Sequence, residues 1–226
     1  MMDLRMMKAA MGMRTVKILF GLLGCVTVFF LLYRPEKDRL VAEGEKWLFG
    51  EDGVRDNARA VDCFTRAADM GSVEALYYLG ECCLFGDGVD KDTLQAVEYF
   101  RSAAEGGLPD AQYYLGLMYQ YGIGMEVDAV KAAEWFQKAA DGLYAEAQAQ
   151  LGACYECGYG VVQDYRLAVK YYRYAARQGI PRAQYNLANC YLSGKGVRAD
   201  IRKAERYYRR AARNGSVEAQ KVLEHL

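Results

Sequence analysis

Two cysteines and one histidine are the residues that come nearest to a catalytic or metal-binding pattern. Cys154 and Cys157 form a C-x-x-C pair, which is typical of thiol redox sites and of half of a zinc site. No second C-x-x-C accompanies it, and the pair lies late in a predicted helix, not at a helix N-terminus, where a thiolate is stabilised. His225 is the sole histidine, which argues against Ser–His or Cys–His nucleophiles and multi-histidine metal sites. We expect no catalytic residue, metal or cofactor, and interpret the pair as structural.

Four G-x-G pairs resemble phosphate-binding loops at first sight. Each one follows a predicted helix instead of a strand, and no Lys-Ser or Lys-Thr pair comes after it. Helix-ending turns explain them better, because glycine adopts turn conformations that other residues tolerate poorly. The pairs begin at Gly86, Gly122, Gly158 and Gly194.

These glycines belong to a 36-residue period that runs through most of the chain. Leucines, glycine pairs, aspartates and paired alanines recur in the same order within each period. Self-similarity at a period of this length indicates a repeat architecture. The period is marked most simply by Ala75, Ala111, Ala147, Ala183 and Ala219.

Each unit is predicted to form two helices. In the unit that begins at Ala147, apolar residues at helical spacing form one stripe, and Gly158 and Gly160 end the first helix. Asp164 is placed to cap the second helix. One such hairpin cannot bury its apolar face alone, so neighbouring units must stack into an all-α solenoid.

The repeated pattern A-x-Y-x-L-G-x-x-Y-x-x-G-x-G-V-x-x-D-x-x-x-A-x-x-Y/W-Y/F-x-x-A-A resembles the Sel-one-like repeat family, relatives of the tetratricopeptide repeats. The resemblance covers residues 38–226, with about five repeats and a C-terminal half-repeat from residue 217. It implies a right-handed α-solenoid and a role in binding and scaffolding. Ala149 and Ala188 depart from the pattern, and we interpret both as packing variation.

The N-terminal residues lie outside the repeats. Residues 1–17 are basic, residues 18–33 are uncharged and strongly apolar, and residues 34–37 form a charged joint. We expect residues 18–33 to form a hydrophobic helix that acts as an uncleaved, single-pass signal anchor, because no small-x-small cleavage site follows. The basic segment favours a cytoplasmic N-terminus, with the repeats outside the cytoplasm, in the periplasm if the source is bacterial.

Other interpretations of this segment stay open. Leu22-Leu23-Gly24-Cys25 resembles a lipobox, which would make the chain a lipoprotein, and a cleaved secretory signal would release the repeats. The orientation is weakly determined, because basic residues also follow the apolar segment closely. Some secreted members of the resembled family carry regularly paired cysteines, and their absence here favours a cytosolic face.

Charge is uneven along the repeats, although the net charge is zero. Residues 36–162 contain 23 acidic and 10 basic side chains, whereas residues 163–215 contain 3 acidic and 13 basic ones. The basic end is either a solvated outer face or a docking surface for an acidic protein, a nucleic acid or an anionic lipid. Nucleic acid is not favoured, because the tyrosines of the second helices lie at core positions instead of forming a stacking surface.

Differences between units indicate a candidate partner site. Counting Ala75 as position 1, positions 4, 7 and 11 of the first helix vary between units. The resemblance implies that first helices line the concave surface, where exposed aromatic side chains would be good partner anchors. Alternatively, these side chains pack against the neighbouring unit. The candidates are Tyr78, Phe85, Tyr114, Leu117 and Tyr121.

The sequence therefore predicts a membrane-anchored scaffold or adaptor that binds a protein or peptide in its concave groove. An envelope-associated enzyme of the resembled family is one alternative. A binder of an anionic partner, using the basic C-terminal repeats, is another. No small-molecule substrate is evident.

Overall fold

The computed structural model describes residues 35–50 and 53–224. The described residues form eleven α-helices separated by short turns. In chain order the helices are α1 (Glu36–Phe49), α2 (Asn57–Asp69), α3 (Val73–Phe85), α4 (Thr93–Glu105), α5 (Pro109–Tyr121), α6 (Ala129–Asp141), α7 (Ala145–Cys157), α8 (Tyr165–Arg177), α9 (Pro181–Ser193), α10 (Ile201–Arg213) and α11 (Val217–Leu223).

The helices stack in chain order, each one packing most extensively against the helices before and after it. The odd-numbered helices are the first helices of their units and the even-numbered ones are the second helices. This arrangement confirms the predicted all-α solenoid with a 36-residue repeat. The expected hydrophobic helix over residues 18–33 lies outside the described residues. Within the part of the chain that is described, no helix combines the length and apolar character needed to cross a membrane.

Aspartate caps begin every second helix, as the sequence predicts. In each unit the aspartate side chain accepts a hydrogen bond from a backbone N–H in the first turn, which satisfies a donor that the helix cannot pair internally. The caps are Asp56, Asp92, Asp128, Asp164 and Asp200.

The second glycine of each G-x-G pair fixes the distance between neighbouring units. Gly160 has a positive φ of 69°, and a Cβ at this position would overlap the carbonyl oxygen of Ala129, the first residue of α6. Gly196 lies in the same way against Tyr165, the first residue of α8. Glycine is therefore required here for both backbone conformation and close approach, which supports the interpretation of these pairs as turns.

Close contact between the two helices of one unit also depends on a glycine. A Cβ on Gly152 in α7 would lie 2.6 Å from the ring of Tyr172 in α8, a side chain that is completely buried. Gly116 meets Phe136 in the same way, at 2.6 Å. In the last full unit Ala188 takes this position and is itself fully buried, in agreement with its interpretation as packing variation.

A buried glutamine ladder joins successive units, and the sequence analysis did not predict it. The Nε2 atom of Gln184 donates a 3.1 Å hydrogen bond to the carbonyl oxygen of Ala176, eight residues earlier at the end of α8. Gln112 and Gln148 make the equivalent bonds, of 3.1 and 3.3 Å, to the ends of α4 and α6. Each bond gives a second donor to a helix-end carbonyl that otherwise accepts only from the turn that follows its helix.

Candidate interaction face on the first helices

Side chains of neighbouring first helices meet along one side of the repeats, which we call the first-helix face. The hydroxyl of Tyr78 on α3 donates a hydrogen bond of 2.6 Å to Oε1 of Glu45 on α1. Farther along, Nε2 of Gln150 on α7 donates a bond of 2.7 Å to Oε1 of Gln120 on α5. These bonds connect first helix to first helix, so the face is continuous between units.

Tyr78 and Tyr114 form the half-buried floor of this face. The Tyr78 ring stacks on Phe64 of α2 with centroids 4.7 Å apart, and the Tyr114 ring stacks on Phe100 of α4 at 5.3 Å. Both phenylalanines are fully buried. Tyr77 connects the two tyrosines through edge-on contacts of 5.4 and 5.7 Å. These two candidates therefore pack against core rings and also line the face.

Phe85 and Tyr121 are much more exposed, at 63% and 64%. They are the last residues of α3 and α5. Phe49, the last residue of α1, lies one 36-residue period before Phe85 and is 66% exposed. We call Phe49, Phe85 and Tyr121 the aromatic row. Sequence reasoning missed Phe49, because its unit departs from the pattern of the others, although the 36-residue offset would have found it.

The aromatic row is confined to the first three units. The matching residues at the ends of α7 and α9 are Cys157 and Ser193. The remaining candidate, Leu117, is half-buried and packs against the core cluster that contains Phe136 and Leu151. The structure thus divides the five predicted residues into two exposed ones and three that contribute to packing.

The first-helix face is acidic in its middle. Helices α3, α5 and α7 contain no lysine or arginine, and their charged residues are Glu74, Glu81, Asp110, Glu146 and Glu156. Such a face attracts basic groups and repels anions.

Glu81 is the half-buried carboxylate of this set. Its Oε1 atom accepts a hydrogen bond of 2.9 Å from the Tyr77 hydroxyl. Burial raises the pKa of the Glu81 carboxyl, and the nearby charges of Asp110 and Asp87 raise it further, whereas the Tyr77 hydrogen bond works in the opposite direction.

A cavity of 280 Å³ opens beside Glu81, between the ends of α1 and α3. At its rim Arg55 pairs with Asp87 at 2.9 Å and donates a second bond of 2.8 Å to Asn57. The cavity is lined by Leu48, Phe49, Arg55, Glu81, Cys82, Phe85 and Asp87.

The opposite charge occupies the last two second helices. Helices α8 and α10 together carry ten lysines and arginines and a single acidic residue, Glu205. Most of these basic side chains are exposed. Two of them form ion pairs within α10 and its cap, Lys203 with Asp200 at 3.2 Å and Arg209 with Glu205 at 2.6 Å.

The cysteines of the described residues are free thiols, and all except Cys157 are buried. Burial raises the pKa of Cys154 to about 11 and that of Cys82 to about 12. A thiol with such a raised pKa is a poor nucleophile at neutral pH, which supports the structural interpretation of Cys154, whereas its C-x-x-C partner Cys157 is exposed. Within residues 35–50 and 53–224, no group of three or more His, Cys, Asp or Glu side chains is arranged to hold a metal ion.

A Sel1 repeat family model matches residues 44–72, 73–108, 109–142, 145–180 and 181–216. This chain belongs to the Sel1 repeat family. Sel1 repeats typically mediate protein–protein interactions, and the five matched segments agree with the approximately five repeats expected from the sequence. A comparison with curated proteins found no match.

Several solved structures are similar to this chain. A Sel1 repeat protein from Oxalobacter formigenes is 35% identical, with a TM-score of 0.78 over 88% of this chain and 81% of its own. A protective antigen of uropathogenic Escherichia coli with an SLR fold is also 35% identical, with a TM-score of 0.77 over 82% of this chain. This chain spans only 40% of the antigen's length. An immunity protein from Pseudomonas aeruginosa is 27% identical, with a TM-score of 0.56 over 82% of this chain and 68% of its own.

Proposed function

We propose that this Sel1 repeat protein is a membrane-anchored scaffold that holds a protein or peptide partner on its first-helix face. The observation that carries the proposal is the aromatic row, in which Phe49, Phe85 and Tyr121 are each more than 60% exposed. Aromatic side chains dominate many interfaces, because they bury a large area while losing little rotamer freedom. A row of exposed aromatics at one end of successive first helices is therefore a natural set of anchors.

The neighbouring tyrosines support this role. Tyr78 and Tyr114 are held by stacking on buried phenylalanines, and the Tyr78 hydroxyl is bound by Glu45. A floor that is already ordered loses little conformational entropy when a partner binds. The exposed row would supply contact area, and the half-buried floor would supply a fixed shape.

The membrane part of the proposal rests on the apolar segment at residues 18–33. An uncleaved segment of this kind would keep the repeats close to the bilayer, on its extracytoplasmic side. Fractionation tests this directly. Full-length protein should stay in the membrane pellet after a salt wash, and a soluble product that begins after Tyr33 would contradict the anchor. Acyl labelling that is lost in Cys25→Ser would instead establish the lipoprotein interpretation.

The binding role is tested in two steps. The partner is first identified by crosslinking to the full-length protein in membranes, and the purified partner is then titrated against each variant. Phe85→Ala and Tyr121→Ala should each weaken its affinity by about 1–3 kcal/mol. Leu94→Ala is the matched control, because Leu94 is 68% exposed but lies on the second helix α4. Equal effects of all three variants would contradict a specific role for the first-helix face.

A second candidate function is the binding of an anionic partner by α8 and α10. The excess of ten basic residues over one acidic residue on these helices favours it. This second function would be supported if the affinity for the partner falls steeply with added salt. It would also require that Arg206→Ala lowers this affinity further, whereas Phe85→Ala does not.

A further inference from the structure

We infer that the cavity between α1 and α3 is a pocket for a basic side chain of the partner, with its alkyl stem between Phe49 and Phe85 and its cation beside the Glu81 carboxylate. The inference rests on the proposed function and adds the chemistry of the partner: a segment that presents an arginine or a lysine. The walls, the charge and the size of the cavity each support this assignment.

The walls suit an alkyl stem. Leu48 and Cys82 are buried at the cavity, whereas Phe49 and Phe85 flank it with more than 60% of their surface exposed. Lysine and arginine bury their methylene stems along apolar surfaces while the charged head stays with polar groups. Aromatic rings also attract a cation placed over their faces.

The charge of the pocket is left uncompensated at Glu81. Asp87 already pairs with Arg55, at 2.9 Å. Glu81 accepts the Tyr77 hydrogen bond, yet it forms no salt bridge with any residue of the described part of the chain. A half-buried charge without a counter-charge is costly, so a cation from a partner gains more there than at an exposed carboxylate.

The size of the cavity favours a single side chain. Its 280 Å³ is at the lower limit of pockets for drug-sized ligands, which have volumes of about 300–1,000 Å³. Of the two helices that line it, α3 contains no basic residue, and the basic residues of α1, Lys37, Arg39 and Lys46, do not line the cavity. Because the lining residue Arg55 is already paired with Asp87, Glu81 would attract a basic group and repel an anion.

The pocket is specific to the start of the repeats. The residue that corresponds to Glu81 is Glu45 in α1, but it is Leu117 in α5, Ala153 in α7 and Asn189 in α9. An acidic residue at this position occurs together with a phenylalanine at the end of the helix only in α1 and α3. The acidic residue at this position and the phenylalanine that ends the helix therefore occur together in the two units that form the pocket.

The test uses the full-length protein in detergent micelles and two acetylated, amidated probe peptides. One peptide is Gly-Leu-Arg-Leu-Gly, and the other carries citrulline, a neutral isostere, in place of arginine. NMR titration should shift the amide signals of Phe49, Glu81 and Phe85, with the arginine peptide binding about tenfold more tightly than the citrulline peptide. Glu81→Gln should reduce this preference to nearly one, with an unchanged circular dichroism spectrum.

Glu146→Gln is the matched control, because Glu146 is an exposed carboxylate of the first-helix face on α7, away from the cavity. It should leave the arginine preference intact. The pocket assignment is overturned if both variants reduce the preference equally, if the citrulline peptide binds as well as the arginine peptide, or if neither binds at millimolar concentration. It is also overturned if the same signals shift on raising the protein concentration without peptide, which would assign the surface to a second copy of the chain.

This result is separable from the proposed function. If the arginine preference is absent but capture of the purified partner still depends on Phe85 and Tyr121, the pocket fails and the scaffold role stands. If partner capture is independent of both aromatics, the proposed function fails whatever the probe peptides show.

Discussion

The hydroxyl of Tyr78 donates a 2.6 Å hydrogen bond to the carboxylate of Glu45, a residue 33 positions earlier on the preceding first helix. Burial and this carboxylate both raise the pKa of Tyr78, so its hydroxyl stays protonated and remains a donor. The same chemistry recurs within units, where the Tyr172 hydroxyl donates to Glu156 at 2.6 Å. Tyr78 and Tyr172 thus pack their rings against the core and donate their hydroxyls to acceptors on first helices.

The first prediction distinguishes a tyrosine that packs against the core, Tyr114, from an exposed tyrosine of the aromatic row, Tyr121. Tyr114 stacks on the buried ring of Phe100, whereas Tyr121 is 64% exposed. We expect Tyr114→Ala to lower the free energy of unfolding by about 1–3 kcal/mol and Tyr121→Ala to change it by less than about 0.5 kcal/mol. Denaturant unfolding of the two variants checks this, and equal losses of stability would show that Tyr121 also belongs to the core.

The second prediction concerns the glutamine ladder. Gln184 is fully buried and donates to the Ala176 carbonyl at 3.1 Å. Gln184→Leu removes this buried bond and leaves the carbonyl with only its turn partners, among them the Gly179 N–H, so we expect a loss of about 0.5–1.5 kcal/mol in the free energy of unfolding. Gln220 makes the equivalent bond at 3.5 Å from an exposed position, and Gln220→Leu should cost less than about 0.5 kcal/mol. Similar losses in the two variants would contradict a stabilising role that depends on burial.

The third prediction uses two helical glycines. An added Cβ would lie 2.6 Å from the Tyr172 ring at Gly152, but 3.1 Å from the Phe100 ring at Gly80. Alanine gains about 1 kcal/mol over glycine in a helix, and overpacking costs about 1–3 kcal/mol. We therefore expect Gly152→Ala to be destabilising and Gly80→Ala to be nearly neutral. Thermal melts of both variants test this order, and a melting temperature that is lower for Gly80→Ala would reverse it.

The fourth prediction concerns pH. The pKa of Glu81 is raised above its ordinary value of 4.5 in the folded chain, mainly by burial and further by Asp110 and Asp87. Between the unfolded and folded pKa values the folded chain binds more protons, so the Glu81 contribution to stability falls as the pH rises through that window.

Glu81→Gln removes this contribution while keeping an acceptor for the Tyr77 hydroxyl. The variant should be at least as stable as the wild type at about pH 7, and its advantage should shrink at about pH 4. Urea midpoints at the two pH values measure the difference. If the variant is more stable than the wild type by the same amount at both pH values, the charge of Glu81 is not the cause of the difference in stability.

The sequence predicted those features that depend on one unit alone. Aspartate caps such as Asp164, helix-ending glycines such as Gly158 and the buried alanine pairs were found because short-range geometry requires each of them. Contacts between units were missed. The Gln184 bond to Ala176 and the Tyr78 bond to Glu45 depend on how one helix pair lies on the next, which the spacing of residues does not determine.

The candidate site was predicted in part for the same reason. Sequence variation identified Phe85 and Tyr121, which the structure exposes, but it could not distinguish them from Tyr114, whose ring rests on Phe100. Which edge of a tyrosine is buried depends on the angle between neighbouring helices. Phe49 was overlooked because the first helix of its unit has Arg39 and Glu43 where later units have an alanine and a leucine, although its position relative to Phe85 repeats the 36-residue period.

Site-specific photo-crosslinking in intact membranes tests the scaffold role most directly. A benzophenone amino acid is placed singly at Phe85 and at Tyr121, and at two controls of equal exposure on second helices, Leu94 at 68% and Ile201 at 67%. The account predicts one and the same crosslinked partner from both first-helix positions and little or none from the two controls. Crosslinks to that partner from Leu94 or Ile201, with none from Phe85 or Tyr121, would contradict it.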